Sequence, residues 1–96
     1  MKNKDIINHL TKNNNFEYNL SKSSEELQEL SLILTQFLNK PEKVNNQNII
    51  DEIGDVKIRI KILEKLFGED EVKDRYNLKL DKFKNYILEN KYTNKI

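Results

Sequence analysis

Two acidic motifs, Glu26-x-x-Glu29 and Glu52-x-x-Asp55, lie 22 residues apart in this chain. A three-residue spacing puts both acids of each pair on one side of a helix. Their number alone carries no information. With 16 acids in 96 residues such pairs arise by chance, and a third, Glu71/Asp74, is also present. Their position is more telling. In helical projection Glu26 falls between Ile33 and Phe37, and Glu29 falls beside Ile33 at the edge of an apolar stripe. Glu52 falls between Leu63 and Leu66, and Asp55 takes the edge position that Glu29 takes in the first motif. Glu25-Glu26-Leu27-Gln28-Glu29-Leu30 and Asp51-Glu52-Ile53-Gly54-Asp55-Val56 align without a gap, each reading acid, acid, apolar, any, acid, apolar.

An ionised carboxylate turned toward a core is costly, and four together repel one another, so the arrangement calls for a cation. If the two stripes face each other in an antiparallel pair, Glu26, Glu29, Glu52 and Asp55 converge, as carboxylate metal sites in helical bundles do. Oxygen ligands without His or Cys favour Mg²⁺, or Mn²⁺, over Zn²⁺. Mg²⁺ keeps waters and accepts substrate phosphates, which points to phosphate chemistry. The structural alternative is that these acids sit at helix boundaries, pair with Lys22, Lys57 or Arg59, and solvate the bundle. Glu25 and Asp51 face solvent and are expected near helix N-termini, where acids favour the macrodipole.

Four helices are needed to place these groups. A short first helix is expected over about 5–12, with Ile6, Ile7 and Leu10 at helical spacing, broken by Asn13-Asn14-Asn15. A second helix, over about 22–38 and capped by Ser21 or Ser23, carries Leu27, Leu30, Ile33, Leu34, Phe37 and Leu38. After Pro41 and an Asn-rich joint, a third is expected over about 48–67. Its stripe is Ile49, Ile53, Val56, Ile60, Leu63 and Phe67, and Gly68 closes it. A last helix over about 70–90 carries Val72, Tyr76, Leu80, Phe83 and Ile87, and 91–96 is a frayed tail. Ile58 and Ile62 lie off the third stripe, where they form either exposed apolar surface or a second buried face. No segment alternates with period two, so the fold class is all-α, in one domain over 1–96.

Composition narrows the function. The formal charge is +1, from 17 Lys and Arg against 16 Asp and Glu, which argues against a nucleic-acid polymer as partner. Removing the four proposed ligands leaves 12 acids against 17 basic residues, a remainder suited to a polyphosphate. Without Cys there is no thiolate metal site and no cysteine nucleophile; two Gly exclude a glycine-rich phosphate loop, and one His excludes a His-rich metal site. The longest apolar run, Leu32-Ile33-Leu34, is too short to cross a membrane. The opening residues lack the apolar stretch of a secretory signal, so a cytoplasmic location is expected. Only 36% of the chain is apolar. A core this small makes a homo-oligomer, dimer or tetramer, the expected state.

The doublet resembles the E-x-x-E, spacer, E-x-x-D signature of the MazG-like all-α nucleoside triphosphate pyrophosphohydrolases. Lys22-Ser23-Ser24-Glu25-Glu26-Leu27-Gln28-Glu29-Leu30 is similar to the K-x-x-E-E-L-x-E-L of short phage and bacterial members, and Ile50-Asp51-Glu52-Ile53-Gly54-Asp55-Val56 to their I-x-E-I/M-A/G-D-V. The likeness covers roughly residues 16–90. It implies a helical bundle, completed by oligomerisation, that binds Mg²⁺ through Glu26, Glu29, Glu52 and Asp55. The implied enzyme is a hydrolase acting on acid anhydrides, cleaving an NTP or dNTP to the monophosphate and pyrophosphate.

In that chemistry the metal neutralises phosphate oxygens and lowers the pKa of a bound water for in-line attack, with Glu26 or Glu29 accepting the proton. Lys22 and Arg59, each one turn from a motif acid, either hold the polyphosphate or pair with that acid. Lys79 and Lys82 are weaker candidates. Lys57 and Arg59 depart from the family pattern, as does the lack of a Trp for stacking a base, a role left to Phe16, Tyr18 or Phe37. His9 is expected at the surface. The alternative function is a catalytically silent helical module that binds a nucleotide or a protein; a third reading is a structural protein whose acids form salt bridges.

Overall fold

Asparagine and glycine mark most of the joints. Asn14 adopts extended backbone after helix α1 (Asn3–Asn13), and the Asn15 side chain caps α2 (Phe16–Asn39) by accepting from the Tyr18 N–H at 2.6 Å. A 3₁₀ turn (Pro41–Lys43) follows, and Asn45 repeats the device, accepting from the Asn48 N–H at 2.9 Å to start α3 (Asn46–Phe67). Gly68 ends α3 with φ of +127°, its N–H donating to the Glu64 carbonyl at 2.9 Å, and α4 (Glu69–Leu88) begins at once. These features belong to a computed structural model that describes residues 1–89. The described residues are all helical or connecting, with no strand, so the fold is all-α with four helices. No helix among them is long and apolar enough to cross a membrane.

The second helix starts at Phe16, well ahead of Ser21 or Ser23. Neither serine caps it, and Ser23 lies inside the helix at 2% exposure. The early start has a physical reason in Asn19, whose side-chain amide donates to the Leu10 and Thr11 carbonyls at 3.4 Å each. Those carbonyls end α1 and need donors from outside their own helix. The frayed tail expected over 91–96 and the last residue of the fourth helix as expected, Asn90, lie outside the described residues.

α2 and α3 run antiparallel as a hairpin. The Phe16 ring at the start of one packs on Phe67 at the end of the other, centroids 5.7 Å apart and planes tilted by 58°. Their contact uses two heptad rows. On α2 the row is Asn19, Ser23, Glu26, Leu30 and Ile33; on α3 it is Ile49, Glu52, Val56, Arg59, Leu63 and Leu66, and all eleven are buried or half-buried. Intervals of 3 and 4 residues are those that keep one side of a helix against a neighbour. The buried face of α3 thus shares Ile49, Val56 and Leu63 with the expected apolar stripe but is not centred on it. At about 100° per residue the centre of the buried face is turned from the centre of that stripe by about 50°. The turn leaves Ile53, Ile60 and Phe67 exposed and brings Glu52 and Arg59 inward.

Ile62 is fully buried, so the flank of α3 opposite that stripe does form a second packed face there, on the side where α1 lies along α3. Ile58, on the same flank, is 46% exposed in a groove it shares with Ile6, Ile7 and Leu10. The buried apolar side chains among the described residues are Val44, Val56 and Ile62, of which Ile62 is fully enclosed. α4 leaves the other helices after Gly68, and every residue from Glu69 to Leu88 is exposed.

Candidate metal centre

The antiparallel hairpin brings the two acidic motifs to one place. Glu26 from α2 and Glu52 and Asp55 from α3 each present a carboxylate oxygen within 4.8 Å of the other two. Glu26 and Glu52 are half-buried and Asp55 is exposed. Glu26 Oε2 and Glu52 Oε2 are buried and have no hydrogen-bond donor. A buried acceptor without a donor is destabilising on the order of 1–3 kcal/mol, so these two oxygens need a positive group. An oxygen-only set drawn from two helices suits a hard divalent cation, which sits about 2.0–2.6 Å from its ligands and keeps them within about 5 Å of one another. By chemistry and spacing the residues fit.

Glu29, the fourth expected ligand, is placed differently. It is exposed and stands outside the group of three, yet its carboxyl is pushed above the ordinary value by the Glu26 charge first, then by loss of solvent and by Glu52. Glu52 is pushed up as well, chiefly by removal from water, with Glu26, Asp55 and Asp51 adding repulsion. Like charges crowded together favour the proton. A divalent cation would invert that preference.

Lys22 lies at the edge of the site. Its Nζ is 3.4 Å from Glu25 Oε1 and 3.7 Å from Glu26 Oε1, and the Glu25 charge and hydrogen bond are the main reasons its ammonium is held more firmly protonated. Glu25 is thus an ion-pair partner in the third turn of α2, not a residue near the helix start. Asp51 is exposed and accepts from Gln47 Nε2 at 2.8 Å.

Arg59 separates the two readings it was given. It forms no ion pair with Asp55 or with any other acid among the described residues, and it is only 8% exposed, with Nη1 buried and lacking an acceptor. Across the seam are two polar residues that sequence reasoning missed. Asn19 is fully buried with Oδ1 unpartnered, and Ser23 is nearly so with Oγ unpartnered. A signal for them exists in the sequence, since Asn19, Ser23 and Glu26 continue the Leu30 and Ile33 row at heptad intervals. A polar segment in an otherwise apolar row marks a place where the helix pair faces something polar.

The remaining candidates lie elsewhere. Lys79 and Lys82 are on the exposed α4, Lys79 resting 5.5 Å from the centre of the Phe83 ring. Phe16 is engaged with Phe67, Tyr18 is half exposed, and Phe37 lies at the far end of the α2 row. His9 is exposed on α1, with its Nδ1 3.1 Å from Asn13 Nδ2. In comparisons with protein-family models, curated proteins and solved structures, nothing matches this chain.

Proposed function

We propose that the protein is a Mg²⁺-dependent nucleoside triphosphate pyrophosphohydrolase that releases pyrophosphate from an NTP or dNTP. The observation that carries this reading is the convergence of Glu26, Glu52 and Asp55 from two facing helices with two of their oxygens buried and unpartnered. The motif resemblance to the MazG-like hydrolases supplies the reaction class, which a carboxylate cluster alone does not.

In this reading Glu26, Glu52 and Asp55 hold the ion, and Glu29 completes or borders the set. When bound, Mg²⁺ supplies charge neutralisation for the polyphosphate and an acidified water. Glu29 is the better placed of the two candidate bases. It is accessible, it lies outside the group of three, and its raised proton affinity suits a group that takes a proton from water during attack on the α-phosphorus. The α–β anhydride bond breaks and pyrophosphate departs. Arg59, buried and without an acceptor, offers its guanidinium to a phosphate oxygen, and Lys22 adds a second positive charge at the rim.

Pyrophosphate release measured over a panel of NTPs and dNTPs with Mg²⁺ tests the proposal. Turnover of at least one member, lost in Glu52→Gln, is the expected result. Silence across the panel with Mg²⁺ still bound replaces it by the alternative, a catalytically silent nucleotide- or protein-binding module. If Mg²⁺ leaves the melting temperature unchanged, the metal site itself is lost as an explanation of the acids.

A further inference from the structure

Helix α1 lies along α3 without closing on it over their whole length, and a groove of about 540 Å³ runs between them. Its floor is apolar, formed by Ile6, Ile7 and Leu10 of α1 and Ile58 of α3. Ile6 and Ile58 are 42% and 46% exposed, while Ile62, one turn further along α3, is fully enclosed. The groove is therefore the unfilled continuation of a packed seam.

Its rim is basic. Lys4 of α1 and Lys57, Lys61 and Lys65 of α3 line it, against one acid, Glu69, at the start of α4. The three lysines of α3 follow at intervals of four residues, which sets them about 6 Å apart in a row beside Ile58. Like charges at that interval oppose a helix by about 0.2–0.5 kcal/mol per pair. Lys61 and Lys65 are partly answered by surface ion pairs, with Glu64 at 3.8 Å and Glu69 at 3.0 Å, and such pairs contribute little. Lys4 and Lys57 form no ion pair among the described residues.

A row of positive charge beside a recessed apolar floor selects its occupant. A polyphosphate or a nucleic-acid backbone would meet the lysines and make no use of the floor. A fatty acyl chain would fill the floor, but its single charge sits at one end and leaves most of the row unanswered. A membrane is too broad to enter a cleft between two helices. An amphipathic helix with acids at every fourth position and apolar residues beside them meets both features, because its acids also stand about 6 Å apart. Three turns suffice, since Lys57 to Lys65 spans about 12 Å. The exposed α4 of this chain does not carry that pattern: Asp70, Asp74 and Asp81 lie on the opposite side of the helix from Val72 and Tyr76.

We propose that the groove between α1 and α3 docks an acidic amphipathic helix of a partner protein, its acids paired along Lys57, Lys61 and Lys65 and its apolar residues seated on Ile58, Ile6 and Ile7. The docking uses none of the residues of the metal site and stands apart from the reaction assigned there. A fluorescein-labelled helical peptide of about four turns, with glutamate at every fourth position and leucine beside it, is the probe, read by fluorescence anisotropy against the full chain. Saturable binding in the micromolar range is expected. Lys57→Glu combined with Lys61→Glu should weaken it about tenfold or more, and so should Ile58→Asp. Far-ultraviolet circular dichroism reports whether Ile58→Asp still folds; the two lysines are exposed, so their variant keeps the test valid if it does not. A peptide of the same composition with its glutamates moved away from the leucines should not bind. Absence of saturable binding by the first peptide overturns the proposal, as does equal binding by the rearranged peptide or by the lysine variant. Co-sedimentation of the chain with vesicles of equimolar phosphatidylglycerol and phosphatidylcholine, lost in the lysine variant, overturns it in favour of a membrane surface.

Discussion

Lys22 and Glu26 stand one turn apart on α2 with Nζ 3.7 Å from Oε1, while Oε2 of the same carboxylate is buried without a donor. The lysine thus engages one oxygen and leaves the other for a ligand. The pair itself adds little stability, because Lys22 is well solvated.

The raised proton affinity of Glu52 makes stability depend on pH and on metal. Between the ordinary value of 4.5 and its higher value in the protein, folded Glu52 keeps a proton that the unfolded chain has lost. Glu52 therefore has no effect on stability below 4.5, and it destabilises the fold increasingly as pH rises through that window. In a chelator, Glu52→Gln should gain on the wild type between pH 4 and pH 7. With Mg²⁺ at about 100 times its dissociation constant, the wild type should gain about 2.7 kcal/mol and the variant much less. Thermal unfolding across pH, with and without Mg²⁺, checks both signs.

Glu29 and Asp55 should differ in kind. Glu29→Gln is expected to lower kcat by about 10²–10⁴-fold while keeping most of the Mg²⁺-induced rise in melting temperature. Asp55→Asn should lose that rise. If both variants lose it equally, Glu29 is a ligand and the proton acceptor lies elsewhere.

Arg59 is a buried cation without an acceptor, and such a group opposes folding. Arg59→Met, of similar length and without charge, should stabilise the ligand-free protein by about 1–3 kcal/mol and raise KM for the nucleotide. Arg59→Lys keeps the charge but loses the planar fork, so its KM should fall between the two. Lower stability in Arg59→Met would mean that the guanidinium is held by a partner within the fold.

Gly54 lies in α3 between two proposed ligands, yet a Cβ built there meets nothing within 4 Å. Gly54→Ala should stabilise the helix by about 0.5–1 kcal/mol, raising the melting temperature by a few degrees with Mg²⁺ binding unchanged.

The fold class was legible because helical periodicity and Asn or Gly punctuation are local signals. Glu26, Glu52 and Asp55 could be grouped from spacing because an antiparallel hairpin follows from a short joint. The side of α3 that is buried was harder to read. Ile49, Ile53, Val56, Ile60, Leu63 and Phe67 form a clean stripe, but periodicity finds an apolar face without saying what covers it. Within one chain that stripe is only half covered, while Ile62 beside it is fully buried because α1 packs on its side. Asn19, Ser23 and Arg59 went unread as a set because polar residues become a site only once the register between two helices is known.

Gly68 is the single residue between α3 and α4, and its φ of +127° is one that side-chain-bearing residues rarely adopt. A Cβ there would also strike the Glu71 carboxylate. The heading of a 20-residue helix is therefore fixed by one backbone torsion, as the pitch of a propeller blade is fixed at its root. At a rise of about 1.5 Å per residue, a change of 10° at Gly68 displaces the far end of α4 by about 5 Å, roughly one helical turn. A substitution at this position would leave each helix intact and still change the direction in which the α4 stripe faces.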